Sequence, residues 1–397
     1  MSLPRSTTII ITALLVGVAI FVGAPILYDW DSDGDGIPDR MDLYPNDRDN
    51  DGIPDKQDFF PDYDGALRIV VEEFILLSGS SNLEVTLTVQ LDGADHILAS
   101  KLVKPGEPVE AMGELLLDIP DDRGVGQLIF KAQRSSLLGM QISDLYLGAS
   151  EKSWTVLYTA TPRLNLFVQN AEEGVDIHLK LSIKASPMVL KRTFSWDLAG
   201  QSYSLDTEIE NHRYFFYRAH DIPRHYVSAE ATIDYLRPNE PIIVDLVHKL
   251  EAMSSGWTDE RRAMLAISMV QHITYETDME VHGVNEYWNF PLETLYLGKG
   301  DCEDTVLLSM ILLHHMGFDT AMLVYFPEVG EGHAALGLVM DEVSGSEYWY
   351  NGVKYLYVET TNTLGIGVLP SAEENPFIEV SPIVIPFPAK QALPWAP

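Results

Sequence analysis

Gly298-Lys299-Gly300-Asp301-Cys302-Glu303-Asp304-Thr305-Val306-Leu307-Leu308 decides the reading of this 397-residue chain, because it sets the single cysteine at the head of an apolar helix. A cysteine is a nucleophile only as its thiolate, and the amides of a helix N-terminus with a nearby imidazolium lower its pKa. Asp301 reads as the N-cap, which puts Cys302 at N1 and Asp304 at N3. Val306, Leu307, Met310, Ile311 and Leu313 continue an apolar helix that Gly317 stops. Glu303 and Asp304 act against the thiolate, since negative charge beside a thiol raises its pKa; their structural role is to complement the helix dipole. Working outward, 319–326 reads as a strand, Val329-Gly330-Glu331-Gly332 as a loop and 333–340 as a second strand, so His333 stands at a strand entrance. Asn351-Gly352 between two aromatic-rich runs is a hairpin signal, and it puts Glu359 on a strand able to pair with the one carrying His333. Helix, strand and strand then present a nucleophile, a base and an orienting carboxylate together. His314 and His315 are helix neighbours that point in different directions and make no metal site.

Four runs, Tyr287-Trp288-Asn289-Phe290-Pro291-Leu292-Glu293-Thr294-Leu295, the Gly300-Asp301-Cys302-Glu303-Asp304 run, Gly332-His333-Ala334-Ala335-Leu336-Gly337-Leu338-Val339 and Tyr355-Leu356-Tyr357-Val358-Glu359-Thr360-Thr361, resemble the transglutaminase-like superfamily of papain-related thiol enzymes. The similar region spans 194–370. The resemblance implies Cys302 as nucleophile, His333 as general base and acid, Glu359 as the residue that orients the imidazole, and no cofactor for catalysis. Glu359 departs from the more usual aspartate by one methylene. The chemistry open to such a site is acyl transfer through a thioester. Water as acceptor gives a peptidase or amidase, and a lysine amine gives a protein cross-linker. Hydrolysis of a protein or peptide substrate is favoured; a non-catalytic calcium-dependent surface or adhesion module is the rival from another class. The oxyanion needs two donors: the Cys302 amide is one by position, and Trp288 and Gln271 are the candidates for the second, with simple packing as the alternative for both.

The segment 7–28 is uncharged and long enough to cross a bilayer, with Pro25 near its end. It reads as an uncleaved signal anchor, because Val22-Gly23-Ala24 precedes a proline and makes a poor cleavage junction. Arg5 on the short side and aspartates on the other place the C-terminal part outside the cytoplasm, in a single-pass membrane protein.

From Asp31 the chain repeats every sixteen residues, as DSDGDGIPDRMDLYPN and then DRDNDGIPDKQDFFPD. Each unit carries a calcium-loop pattern. The first offers Asp31, Asp33, Asp35, Asp39 and Asp42 with the Ile37 carbonyl and a turn at Gly36; the second offers Asp47, Asp49, Asp51, Asp55 and Asp58 with the Ile53 carbonyl and Gly52. The twelfth position is Asp rather than Glu and no amphipathic helices flank the loops, so the pattern is similar to thrombospondin type 3 repeats. That similarity implies structural Ca2+. Without it the thirteen aspartates from Asp29 to Asp64 repel one another against only three Lys/Arg. Extracellular modules of this kind bind at about 0.1 to 1 mM Ca2+, which suits an outward-facing stalk.

A formal charge of −33 argues against nucleic-acid binding. One cysteine excludes an intramolecular disulfide. Period-two alternation in Leu83-Val85-Leu87-Val89-Leu91 and Val175-Ile177-Leu179-Leu181-Ile183 marks half-buried strands and a β-sandwich over 66–190, with a faint similarity to C2-like or immunoglobulin-like domains. Beyond it, 194–209 reads as strand, Asn239 and Thr258 as helix caps, and the proline-punctuated stretch after Pro370 as an extended tail that docks or frays. The expected architecture is therefore an α+β papain/transglutaminase-like domain over 191–375, preceded by the anchor (1–28), the calcium stalk (29–65) and the all-β sandwich (66–190), and followed by the tail (376–397).

Overall fold

Leu67, Ile69, Val71 and Phe74 point one way and Arg68 and Glu72 the other, and this alternation lays the first long strand down with one wet face. The computed structural model describes residues 30–79, 81–135, 142–148, 150–170, 173–237, 239–327, 332–371 and 380–387. The expected membrane segment, 7–28, lies outside these. Among the described residues no helix is long and apolar enough to cross a membrane. The chain divides into two compact units: one runs to Val189 and takes in Glu210–His220, and the other holds Leu190–Ile209 and the chain from Asp221 onward.

In the first unit the strands are β1 (Gly65–Leu76), β2 (Leu83–Leu91), β3 (Ala94–Val103), β4 (Pro108–Glu110), β5 (Glu114–Asp118), β6 (Val125–Ser135), β7 (Ile142–Asp144), β8 (Ser153–Thr159), β9 (Asn165–Gln169) and β10 (Ile177–Pro187). They form two five-stranded sheets. One has the order β4-β1-β10-β9 with β5 also on β1, and the other β3-β2-β6-β7 with β8 also on β6. The pairs are antiparallel, with a bulge on β1 at Glu72 against β10 and one on β3 at Leu98 against β2. Side chains from both sheets, among them Leu67, Val85, Leu128, Phe130 and Leu181, share one buried cluster, so this is a β-sandwich. The aspartate repeats were expected as a separate stalk. Instead Phe60, at the end of the second repeat, is fully buried in the sandwich core, and the Phe59 amide donates to the Asp121 carbonyl. A large aromatic ring there gains more from burial than from projecting along a free tether.

The second unit opens on a hairpin of β11 (Val189–Leu198) and β12 (Gln201–Glu210), turned by Ala199-Gly200. Tyr214 to Tyr217 lie in helix α1 (Asn211–Arg218), which is grouped with the first unit. Next come α2 (Ala229–Ile233), α3 (Pro241–Met253) and α4 (Asp259–Gln271). Thr258 caps α4 by accepting the Arg261 amide, but α3 is capped by Glu240 and not by Asn239, because Pro241 fixes the first helical position. β13 (Thr274–Tyr275) pairs in parallel with β14 (Lys299–Gly300), with α5 (Asp278–Val281) and α6 (Pro291–Leu297) between them. Helix α7 (Cys302–His315) is buried at every position from Glu303 to Leu313, on all its faces, as befits a core helix. It packs on β15 (Thr320–Tyr325) and β16 (His333–Leu338), which belong to an antiparallel sheet of order β17-β18-β16-β15-β19. β17 (Glu347–Tyr350) and β18 (Val353–Val358) meet at Asn351-Gly352, both at positive φ, as a tight hairpin turn requires. β19 (Ile383–Pro386) is where the expected extended tail docks: this apolar run adds an edge strand to the sheet by pairing with β15. Prolines are tolerated there because an edge strand leaves one row of amides unpaired.

Candidate functional site

Cys302 is placed by what precedes it. Gly298, at φ 67°, ends α6, Gly300 is held on β13, and the chain turns into α7 at Asp301. Gly300 has no room for a side chain, since a Cβ there would lie 2.6 Å from Asp304 Oδ2. Asp304 is fully enclosed and accepts the Asn289 amide at 2.8 Å and Asn289 Nδ2 at 2.5 Å, which locks the run before α6 to the first turn of α7. Asp301 takes the N-cap position through its backbone alone; its side chain makes no cap bond and Oδ1 has no partner.

The Cys302 sulfur accepts the Ala334 amide at 3.4 Å and donates to Glu303 Oε2 at 3.1 Å. His333 is the residue before that amide, and Cys302 and His333 line one cavity of about 540 Å³, with Trp288, Tyr325 and Phe326 among its walls. His333 Nε2 lies 3.2 Å from Glu359 Oε2. Glu359 follows directly on β18, whose Val358 pairs with Leu336 of β16, so the register of two neighbouring strands brings carboxylate and ring together. Oε2 also accepts the Tyr357 hydroxyl at 2.6 Å, and Oε1 accepts the Thr360 amide at 3.0 Å, the Thr361 amide at 3.1 Å and Thr361 Oγ1 at 2.8 Å. Thr305 of α7 meets Thr360 hydroxyl to hydroxyl at 2.9 Å, tying the helix of the thiol to the turn of the carboxylate. The structure therefore brings Cys302, His333 and Glu359 into one neighbourhood.

The two candidate oxyanion donors are engaged elsewhere. Gln271 Nε2 donates to the Glu359 carbonyl at 2.8 Å and to the Leu364 carbonyl at 2.9 Å, and Trp288 Nε1 donates to Glu286 Oε1 at 2.8 Å. Gln271 is thus a brace for the Glu359 turn. Its role, like those of Asn289 and Thr305, depends on partners distant in sequence.

Electrostatics set the resting state. Burial would raise Glu359, but the hydrogen bond and charge of His333 and the donors from Tyr357 and Thr361 outweigh it and hold the carboxyl at about 2. Burial, then Glu303 and Asp301, push the Cys302 thiol well above its ordinary value against the pull of the Ala334 amide. Burial also lifts Asp301 to about 10, reinforced by Glu303, and Glu303 to about 8, reinforced by Asp304. Asp278, Asp301 and Asp304 bring one oxygen each within 4.8 Å of one another, a hard-oxygen donor set suited to Ca2+ or Mg2+.

The aspartate repeats fold as two copies of one loop. Asp31 Oδ2 accepts the Gly36 amide and Asp47 Oδ2 that of Gly52; Asp35 accepts from Ile37 and Asp51 from Ile53; Asp39 accepts from Ser32 and Asp55 from Arg48. Asn50 takes the place of Gly34 at positive φ and donates Nδ2 to Asp35 Oδ2 at 2.7 Å, crossing from the second loop to the first. The triads Asp31, Asp33, Asp35 and Asp47, Asp49, Asp51 each converge within 4.8 Å. Buried oxygens Asp42 Oδ2, Asp49 Oδ2 and Asp58 Oδ2 have no hydrogen-bond partner, which fits a hard cation as the missing partner.

Residues 251–358 match the family described as bacterial transglutaminase-like cysteine proteinase, a span that holds Cys302 and His333 and ends one residue short of Glu359. Over that segment the chain is similar to transglutaminase-like cysteine peptidases. No curated protein matches. Among solved structures, calcium-bound LapG of Legionella pneumophila is 16% identical over 41% of this chain and 86% of its own, with a TM-score of 0.27. A C2 domain of plant Extended Synaptotagmin 1 is 11% identical over 32% of this chain and 97% of its own, with a TM-score of 0.24. At TM-scores this low neither likeness bears on function.

Proposed function

We propose that this chain is a membrane-anchored cysteine peptidase facing out of the cytoplasm, with Cys302 as nucleophile, His333 as base and Glu359 as orienter. The observation that carries the reading is the pair of contacts at one strand edge: the Ala334 amide on the Cys302 sulfur, and the Glu359 carboxylate on Nε2 of the adjoining His333. With Nε2 donating to the carboxylate, Nδ1 carries the lone pair that a general base uses. As sulfur attacks an amide carbonyl carbon, the thiol proton passes to Nδ1; the tetrahedral oxyanion then collapses, and the amine leaves with that proton. Water attacks the thioester, its proton goes to His333, and the acid is released as the thiol is restored. The Cys302 amide, one of the helix's unsatisfied first-turn donors, faces the developing oxyanion. A concerted proton transfer suits a thiol whose resting pKa is high.

The anchor is residues 7–28, and the repeats hold Ca2+ through Asp31, Asp33, Asp35, Asp39, Asp42 and the Ile37 carbonyl, and through Asp47, Asp49, Asp51, Asp55, Asp58 and the Ile53 carbonyl. A bound cation would neutralise the converging carboxylates. The protonated state favoured for Cys302 supports a second reading, an inert calcium-dependent surface module. The test is to treat the full chain with a thiolate-directed activity probe, then supply a peptide amide with and without a primary amine. Hydrolysis regardless of amine, lost in Cys302→Ala, supports the peptidase; amine incorporation makes it a cross-linker; a folded protein that takes no probe is the inert module.

A further inference from the structure

Asp51, Asp64 and Asp121 come from three separate stretches of the first unit: the second aspartate repeat, the residue before β1, and the turn between β5 and β6. One oxygen of each lies within 4.8 Å of the other two. Two ligands on opposite sides of one Ca2+ stand about 4.6 to 5.2 Å apart, so these oxygens fit on a single coordination sphere. Asp121 is only 2% exposed; its Oδ2 accepts the Gly65 amide at 2.6 Å, while Oδ1 has no hydrogen-bond partner. Gly65 keeps this corner open, since a Cβ there would stand 2.6 Å from both Asp121 Oδ1 and Phe60 Cδ2. Asp64 is positioned by Asn211, whose Nδ2 donates to its Oδ2 at 2.6 Å. Asp121 is thus an enclosed carboxylate with one oxygen lacking a donor and one oxygen close to two further carboxylates, an arrangement that is unfavourable unless a cation joins them.

We propose that Asp51, Asp64 and Asp121 hold a further divalent cation, Ca2+ by ligand type, that fastens the second repeat to the β-sandwich. Asp51 then serves two ions, one in its own loop and one at this joint. The site adds to the loop reading and is separable from it by experiment. Calcium uptake of the chelator-treated full chain in detergent is measured by titration calorimetry for the wild type, Asp121→Asn and Asp33→Asn. Asp33 belongs to the first loop and is no part of the joint. Asp121→Asn keeps an acceptor for Gly65 and should bind one ion fewer than the wild type; Asp64→Asn should lose the same ion. In chelator Asp121→Asn should melt at or above the wild-type temperature, since a buried charge is gone, and in millimolar Ca2+ it should gain less. Wild-type stoichiometry in both Asp121→Asn and Asp64→Asn overturns the joint site, and the loops stand if Asp33→Asn lowers uptake. A loss in Asp121→Asn without one in Asp33→Asn upholds the joint and removes the first loop. No uptake by any of the proteins overturns both.

Discussion

Glu359→Gln separates orientation from shape. Glu359 is held at about 2 against an ordinary 4.5, a difference of roughly 2.5 units, which corresponds to about 3 kcal/mol favouring its ionised form. Three donors converge on Oε1, the amides of Thr360 and Thr361 and the Thr361 hydroxyl, so a glutamine must keep its oxygen there. Its NH2 is then forced into the place of Oε2, against the Tyr357 hydroxyl and His333 Nε2. The tyrosine hydroxyl can rotate to accept. The imidazole can accept at Nε2 only by moving its own proton to Nδ1, where it no longer serves as a base toward the thiol. A wrong tautomer in an intact triad lowers turnover by about 10⁴, and a fall of roughly 10³ to 10⁴ in kcat/KM is expected here. Stability at neutral pH should fall by up to about 3 kcal/mol, read as a lower urea midpoint. The assays are peptide-amide hydrolysis and urea unfolding on the same preparation. A folded Glu359→Gln protein within tenfold of the wild type would refute the orienting role.

The same carboxylate predicts an acid transition: a depressed folded pKa gives stability present above about 4.5 and lost as pH falls toward about 2, so the stability gap between wild type and Glu359→Gln should be flat above pH 5 and close by pH 2. Glu303→Gln removes the charge beside the thiol, and the pH midpoint of Cys302 alkylation, measured with iodoacetamide, should drop; an unchanged midpoint would show that burial and Asp301 raise the thiol without Glu303. Arg224 Nη1 pairs at 2.7 Å with Glu293, which is fully buried, so Arg224→Ala strands a carboxylate and should lose about 3 to 5 kcal/mol in urea unfolding. A loss under 1 kcal/mol would mean that Glu293 finds another donor.

What the chain discloses before folding is what short-range signals encode. Cys302 at the first position of α7, the strand entrance at His333 and the Asn351-Gly352 turn each rest on a few adjacent residues, and the structure shows each of them. The alternation in β2 and β10 likewise announces half-buried strands, because a period of two has one physical meaning. Side-chain donors are another matter. Gln271 looks available in sequence, yet its amide is spent on carbonyls of residues 359 and 364 that only the folded sheet delivers. Asp304 reads as a dipole complement, but its partner Asn289 sits fifteen residues upstream across α6. Ile383 to Pro386 reads as part of an extended tail that docks or frays, because prolines dominate locally, while its partner strand β15 is non-local and leaves no mark in the run itself. Asp64 and Asp121 fall outside the sixteen-residue repeat, and only the fold sets them beside Asp51.

The most direct test of the account follows Cys302 alkylation from pH 5 to pH 10 in the wild type and in His333→Ala. A thiol whose proton is drawn off by the neighbouring imidazole should react at pH 7 at least about tenfold faster in the wild type, with the two curves meeting only at high pH. Superimposable curves over the whole range would mean that the ring does not act on the sulfur, and the peptidase mechanism would fall.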